Sequence, residues 1–214
     1  MSWKKECLKD FKLYAVTDLK EEDPEIFAKI KGALRGGVDI VQLRSKSLSD
    51  LELLKLGKEI RKLTLKFKKL FIVNDRIDLA LAVEADGVHL GQNDLPIKTA
   101  RQMIGRRDVI IGCSTHSLKQ AMQAEREGAD YIGFGPIFET PTKPTYQPLG
   151  LDMIRQVMKQ VRIPVVCIGG INRSNIAEVI GAGAEKIAVV RAIFAAADPC
   201  RAALELKGLL SREK

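Results

Sequence analysis

The stretch FIVNDRIDLALAVEADGVHLGQND, residues 71–94, holds two short apolar runs that each end in a polar tip. LFIVN (70–74) stops at Asn74-Asp75-Arg76, and GVHL (87–90) stops at Gln92-Asn93-Asp94. Neither run shows the strict polar alternation of a half-exposed sheet. Each therefore reads as a strand covered on both faces, the pattern of a parallel sheet packed against helices. The tips raise a separate question. Asn and Asp favour turns because their side chains hydrogen-bond nearby backbone. Two carboxylates on neighbouring strand ends would equally suit a divalent metal. Turn chemistry and a metal pair both explain the tips at this point.

Outward from this stretch, six similar runs complete a set of eight: KLYAVT (12–17), IVQLR (40–44), VIIGCS (109–114), YIGFG (131–135), PVVCIG (164–169) and KIAVV (186–190). Helical spacing of apolar residues separates them. Ile26, Ile30, Ala33 and Leu34 mark one helix, closed by Gly36-Gly37. Leu51, Leu54, Ile60 and Leu63 mark a long second one. Leu118, Ala121, Met122 and Ala124 mark another, ending at Gly128, and Ile154, Val157 and Val161 a further one. Ser49, Ser117 and Ser174 stand where N-caps belong. Strand–helix alternation repeated eight times predicts a closed (β/α)8 barrel with parallel strands, for which about 200–250 residues suffice. An open doubly wound sheet is the alternative, but no G-x-G-x-x-G follows the first strand. We expect one domain over residues 1–214, with a barrel core at about 11–197 and a terminal helix at about 199–211. The proline-rich PTKPTYQP (141–148) is too short for a linker and reads as a stiffened surface loop.

Composition narrows the function. The chain has 214 residues, 46% of them hydrophobic, and 35 basic against 27 acidic groups give a net charge of +8. That balance favours an anionic partner without naming it. Aromatics are 5%, and no basic stretch is interleaved with them, so the stacking surfaces of single-strand nucleic-acid binders are missing. The lysines at 55, 58, 62, 66, 68 and 69 read as a solvated helix face. MSWKKECLKDFKLYAV lacks the apolar core of a signal peptide, and no apolar run approaches the ~20 residues of a membrane span. A cytoplasmic protein is expected. Cys7, Cys113, Cys167 and Cys200 are scattered and form no zinc motif, with Cys113 and Cys167 expected as buried thiols.

In a barrel, active sites lie at the C-terminal strand ends. Those ends carry Thr17-Asp18, Gln42/Arg44/Lys46, Asn74-Asp75-Arg76, His89/Gln92/Asp94, Ser114/His116, Thr140/Thr142/Lys143, Gly169-Gly170 and Val190-Arg191. Gln42, Arg44 and Lys46 alternate, so a continuing strand aims all three to one side. A buried Arg beside a Lys reads phosphate; a salt bridge to Asp75 or Asp94 is the structural alternative. Asp75 and Asp94 follow adjacent strands, and two nearby carboxylates repel unless a cation or proton intervenes. Hard oxygen donors suit Mg²⁺, which keeps waters and completes its shell with phosphates. Gly169-Gly170 ahead of a short helix, with the end of strand eight, matches the phosphate cup common in barrel enzymes. Two anion sites on one rim suit an enzyme that joins two phosphorylated molecules. His89 reads first as barrel filler, and His116 as a loop histidine without an assigned step.

The motifs YAVTD, GGVDIVQLRSK, NDRIDLALAVEADGVHLGQNDL, IGCSTHS, GADYIGFGPIFETPTK, IPVVCIGGI and IAVVRAIF together resemble the thiamine-phosphate synthase family, from about Tyr14 to Ala195. The resemblance implies a TIM barrel that uses Mg²⁺ to join hydroxymethylpyrimidine diphosphate and thiazole phosphate into thiamine phosphate and pyrophosphate. It implies Asp75 and Asp94 as metal ligands, and Arg44, Lys46, Asn74 and Lys143 as pyrophosphate contacts. Gln42 and Ser114 would line the pyrimidine pocket. Thr140, Thr142, Gly170 and the backbone at Val190-Arg191 would hold the thiazole phosphate. Arg44, Lys46, Lys143 and Ser114 would be the catalytic set, and the Lys143 loop would close as a lid. Many family members carry Ser where Arg191 stands. A thiazole tautomerase on the same barrel would share the histidine of STHS but leave NDR, HLGQND and Lys143 without a purpose. A sugar-phosphate epimerase or isomerase would leave QLRSK unexplained. A silent thiamine-phosphate-binding barrel would tolerate loss of a metal carboxylate, and both are present.

Overall fold

The structure is a computed structural model that describes residues 3–19, 23–105, 108–142 and 145–211. Eight parallel strands close in sequence order. They are β1 (Leu13–Val16), β2 (Ile40–Leu43), β3 (Leu70–Asn74), β4 (Gly87–Leu90), β5 (Ile110–Thr115), β6 (Tyr131–Phe134), β7 (Val165–Ile168) and β8 (Ile187–Val189). β8 pairs back onto β1 through Leu13 with Ile187 and Ala15 with Val189, which leaves no open edge. The open-sheet alternative is thereby excluded.

Helices cover the outside: α1 (Trp3–Asp10), α2 (Ile26–Arg35), α3 (Asp50–Phe67), α4 (Ile77–Ala82), α5 (Ile97–Ile104), α6 (Leu118–Arg126), α7 (Leu151–Gln160), α8 (Ile176–Gly181), α9 (Arg191–Phe194) and α10 (Pro199–Ser211). Ser49 caps α3 in a full capping box with Glu52, and Ser117 accepts from the Gln120 amide to cap α6. Ser174 does not cap. α8 begins after Asn175, and the Ser174 amide and hydroxyl both turn to Asn172 Oδ1, at 2.8 and 2.6 Å. The buried face of α3 is Leu53, Gly57, Ile60, Leu63 and Thr64, while Leu51 is exposed. Of the expected stripe, Ile60 and Leu63 are buried, Leu54 is half-buried against the core and Leu51 alone faces solvent.

Two apolar clusters follow from strand alternation. One lies between barrel and helices. The other fills the barrel: Tyr14, Val16, Ile40, Leu70, Ile72, Ile110, Tyr131, Val166 and Ala188. α1 and the residue after it add Leu8 and Phe11 to this inner cluster. At about 1.5–3 kcal/mol for each large apolar side chain fully buried, α1 is a structural plug rather than an appendage.

A quarter-barrel repeat underlies the scaffold. GVDIVQL (37–43), EADGVHL (84–90), GADYIGF (128–134) and GAEKIAV (183–189) each follow a helix and enter an even-numbered strand. The first residue of each has positive φ: Gly37 at 96°, Glu84 at 54°, Gly128 at 92° and Gly183 at 102°. The same paired bonds close all four helices. Val38, Ala85, Ala129 and Ala184 donate to carbonyls five residues back, in the Schellman pattern. In three repeats the third residue is an Asp that reaches the neighbouring strand. Asp39 accepts from the Lys12 and Leu13 amides, Asp86 from Phe71 (2.9 Å) and Asp130 from Ile111 (2.8 Å). Each Asp also binds a cation: Lys69 and Lys207 at Asp39, Arg61 at Asp86, Arg101 at Asp130. The fourth repeat carries Glu185 instead, and its neighbour Lys186 is buried with its ammonium 5.5 Å from the Phe11 ring centre.

Candidate active site at the C-terminal rim

A cavity of about 470 Å³ opens at the C-terminal ends of the strands. Gln42, Arg44, Asn74, Ser114, Thr140, Thr142, Gly170, Val190 and Arg191 line it. The structure thus gathers nine of the expected substrate residues from β2, β3, β5, the start of α9 and the segments after β2, β6, β7 and β8. Lys46 is exposed and outside the lining, because β2 ends at Leu43 and the chain leaves the barrel through a single bridge between Leu19 and Ser45. The expected same-side alignment of Gln42, Arg44 and Lys46 therefore holds for the first two. Lys143 lies outside the described residues, so the expected lid contact does too.

Arg44 is buried, and its Nη1 pairs with Asp18 at the end of β1. The structural alternative predicted a bridge to Asp75 or Asp94; the partner is a different carboxylate. The pair does not exhaust Arg44, whose guanidinium has five N–H donors. Its backbone is fixed as well: Thr17 Oγ1 accepts from the Arg44 amide and donates to the Arg44 carbonyl, both at 2.8 Å.

Asp75 and Asp94 stand beside the cavity rather than in its lining. Asp75 is exposed, has φ 61°, and its amide donates to the His89 carbonyl at 2.8 Å, carrying the β3–β4 ladder one residue past the strand. Asp94 Oδ2 accepts from the Gly91 amide at 2.6 Å. Turn chemistry is thus present at both tips, and at Asp94 it engages one of two carboxylate oxygens. Among the described residues, no group of three or more His, Cys, Asp or Glu side chains gathers. Two carboxylates on adjacent strand ends are hard oxygen donors of the kind Mg²⁺ takes where water and phosphate complete its shell. Arg76 pairs with Asp50 and Asp78, and holds the Asp78 carboxyl at about 2.

The glycine pair after β7 is a tight fold. Gly169 and Gly170 have φ of 103° and 67°, and a Cβ on Gly170 would come within 2.6 Å of the Glu139 carbonyl. The Gly170 carbonyl is taken by the Asn172 and Asn175 side-chain amides. Opposite, Val190 begins the short helix α9, whose first amides have no intrahelical acceptor.

The cavity floor is polar and was not foreseen. Gln42 Nε2 donates to the Tyr14 hydroxyl at 2.6 Å. That hydroxyl bonds the Tyr131 hydroxyl at 2.9 Å, which bonds His89 Nδ1 at 2.9 Å. His89 Nε2 bonds Ser114 Oγ at 2.9 Å. Gly112 makes the room: a Cβ there would lie 2.1 Å from the Tyr131 ring. Burial pushes both phenols above their ordinary values, so they stay neutral. His89 is therefore a hydrogen-bonded member of the site, not apolar filler. His116 Nδ1 donates to the Gly135 carbonyl, and its ring stacks at 4.0 Å on Tyr146 of the 141–148 loop. Cys113 and Cys167 are buried thiols, as expected, raised by burial to about 11 and about 12. No described helix is long and apolar enough to cross a membrane.

The thiamine monophosphate synthase family profile matches residues 13–193. The thiamine-phosphate synthase of Chloroflexus aurantiacus is 48% identical over 94% of this chain and 94% of its own length. That of Pyrococcus horikoshii is 47% identical over 93% of this chain and 94% of its own. The solved thiamine phosphate pyrophosphorylase of Pyrococcus furiosus superposes with a TM-score of 0.85 at 41% identity, covering 96% of each chain.

Proposed function

Because the chain belongs to the thiamine monophosphate synthase family, we propose that it joins hydroxymethylpyrimidine diphosphate to thiazole phosphate, yielding thiamine phosphate and pyrophosphate. The observation that carries this reading is one cavity lined by both residue sets: Gln42, Arg44, Asn74 and Ser114 on one side, Thr140, Thr142, Gly170, Val190 and Arg191 on the other.

Gln42 and Ser114 hold the pyrimidine. Arg44, Lys46, Asn74 and Lys143 hold its diphosphate, and Asp75 and Asp94 would hold Mg²⁺. When bound, the metal supplies charge neutralisation for the departing pyrophosphate. The threonines, Gly170 and the Val190-Arg191 backbone bind the thiazole phosphate. The bond from the pyrimidine CH₂ to the diphosphate oxygen breaks and its electron pair leaves with pyrophosphate. The electron-rich aminopyrimidine delocalises positive character at that carbon. The thiazole nitrogen lone pair then forms the new C–N bond, so no strong base is required. The protein holds two rings face to face and stabilises the leaving charge with Arg44, Lys46 and Lys143. The 141–148 loop, tethered near the cavity by Tyr146 on His116, excludes water that would otherwise capture the carbon.

The test mixes purified protein with both substrates, with Mg²⁺ or with EDTA, and follows both products. Metal-dependent formation of thiamine phosphate and pyrophosphate in equal amounts is expected. Absence of both, where another family member works, overturns the reading.

A further inference from the structure

The side chains of the cavity floor form an unbroken series from β2 to β5: Gln42, Tyr14, Tyr131, His89, Ser114. Such a series has a direction. A phenol has one proton to donate, and a neutral imidazole carries one N–H. Gln42 Nε2 donates to Tyr14, and the arrangement that then pairs the Tyr14 proton within the series sends it to Tyr131. The Tyr131 proton then goes to His89 Nδ1. A neutral His89 then carries its own proton on Nε2 and donates it to Ser114 Oγ. Ser114 accepts there and turns its hydroxyl proton elsewhere. At the other end, Gln42 has committed its nitrogen and keeps Oε1 as an acceptor. The reverse arrangement needs the Gln42 amide turned over and every proton moved together. Within this series the two ends switch together.

We propose that these five residues act as one directional hydrogen-bond chain. It presents an acceptor at Gln42 and a donor at Ser114 to the ring in the cavity, with Tyr14, Tyr131 and His89 as positioning residues. The ring this polarity fits carries an exocyclic amino donor and an unprotonated ring nitrogen. The oxo counterpart, with a carbonyl acceptor and a ring N–H, meets the wrong polarity at both ends. This inference rests on the proposed placement of the pyrimidine against Gln42 and Ser114. Two further features support it. Both phenols are fully buried and neutral, so the chain keeps its protons. Gly112 and Gly133 clear the space that Tyr131 and His89 occupy.

The protein has two histidines, so ¹⁵N-histidine NMR reads the chain directly. His116 donates from Nδ1 to a carbonyl and serves as the internal contrast. In the wild-type protein His89 is expected as the Nε2–H tautomer and His116 as Nδ1–H. Tyr131→Phe should shift His89 toward a tautomer mixture and leave His116 unchanged. In the same variant, preference for the amino- over the oxo-pyrimidine diphosphate in kcat/KM should fall about tenfold or more. Tyr131→Phe should cost nothing further in a Ser114→Ala background. An Nδ1–H tautomer at His89 in the wild type, which needs no variant to fold, overturns the proposal. So does an unchanged amino/oxo preference in Tyr131→Phe. If the wild type makes no product, the proposed function fails, while the NMR result still decides the direction of the chain.

Discussion

The two ends of the barrel both carry aspartates at strand termini, and they use them differently. At the N-terminal end, Asp39, Asp86 and Asp130 are enclosed among neighbouring strand amides and the cations Lys69, Lys207, Arg61 and Arg101. At the C-terminal end, Asp75 is exposed in a left-handed conformation and Asp94 is half-buried, with one oxygen in a local turn. One set closes the scaffold. The other stands at the mouth of a cavity whose nearby cations, Arg44 and Arg191, have charge to offer an anion. The difference teaches that residue type alone does not separate the two ends; enclosure among strand amides and half-buried cations marks the lower set.

The comparison can be broken most sharply at the rim. Asp75→Asn keeps a residue that tolerates positive φ and removes the charge. Thiamine phosphate formation should drop by about 100-fold or more, with the thermal unfolding midpoint little changed. A parallel collapse of stability would make Asp75 a latch like those below. At the base, Asp39→Ala should destabilise by about 3–5 kcal/mol by stranding Lys69 and Lys207, measured by urea unfolding, with activity per folded molecule retained.

The pH dependence sharpens the same point. Burial alone would push the Asp39 carboxyl up, but hydrogen bonds from Lys207, Lys69 and the Lys12 and Leu13 amides outweigh it and hold it below the ordinary value. A depressed folded-state pKa gives stability that is fully present above the unfolded value, about 3.9, and is lost as pH falls toward the folded one. Wild type should therefore lose urea resistance on acidification below about pH 4, and Asp39→Asn should lose less over that range. Smallest is the repeat itself. Glu84 occupies a left-handed position that glycine holds in the other three repeats. Glu84→Gly should stabilise by about 0.5–1 kcal/mol without changing activity.

The barrel was legible because eight doubly covered strands and their intervening helices each left a local apolar pattern. The cavity lining was legible residue by residue, since strand ends name themselves once the strands are placed. What stayed hidden depends on pairs distant in sequence. Asp18 and Arg44 are 26 residues apart, and Tyr14 and Tyr131 are 117 apart. Tyr14 and Tyr131 sit in runs that read as apolar filler, and no local signal marks their hydroxyls as partners. The repeat was masked by Glu84, which breaks the glycine pattern at one of four positions. Ser174 stands at a cap position by spacing, but its amide and hydroxyl turn back to Asn172 Oδ1.

The most direct test of the division between rim and base compares Asp94→Asn with Asp86→Ala, each assayed for thiamine phosphate formed per folded molecule and for urea unfolding. The account predicts a crossed result: Asp94→Asn keeps its unfolding curve and loses about 100-fold or more in activity, while Asp86→Ala loses about 3–5 kcal/mol of stability and keeps its activity. Full activity in Asp94→Asn, or loss of activity per folded molecule in Asp86→Ala, would contradict it.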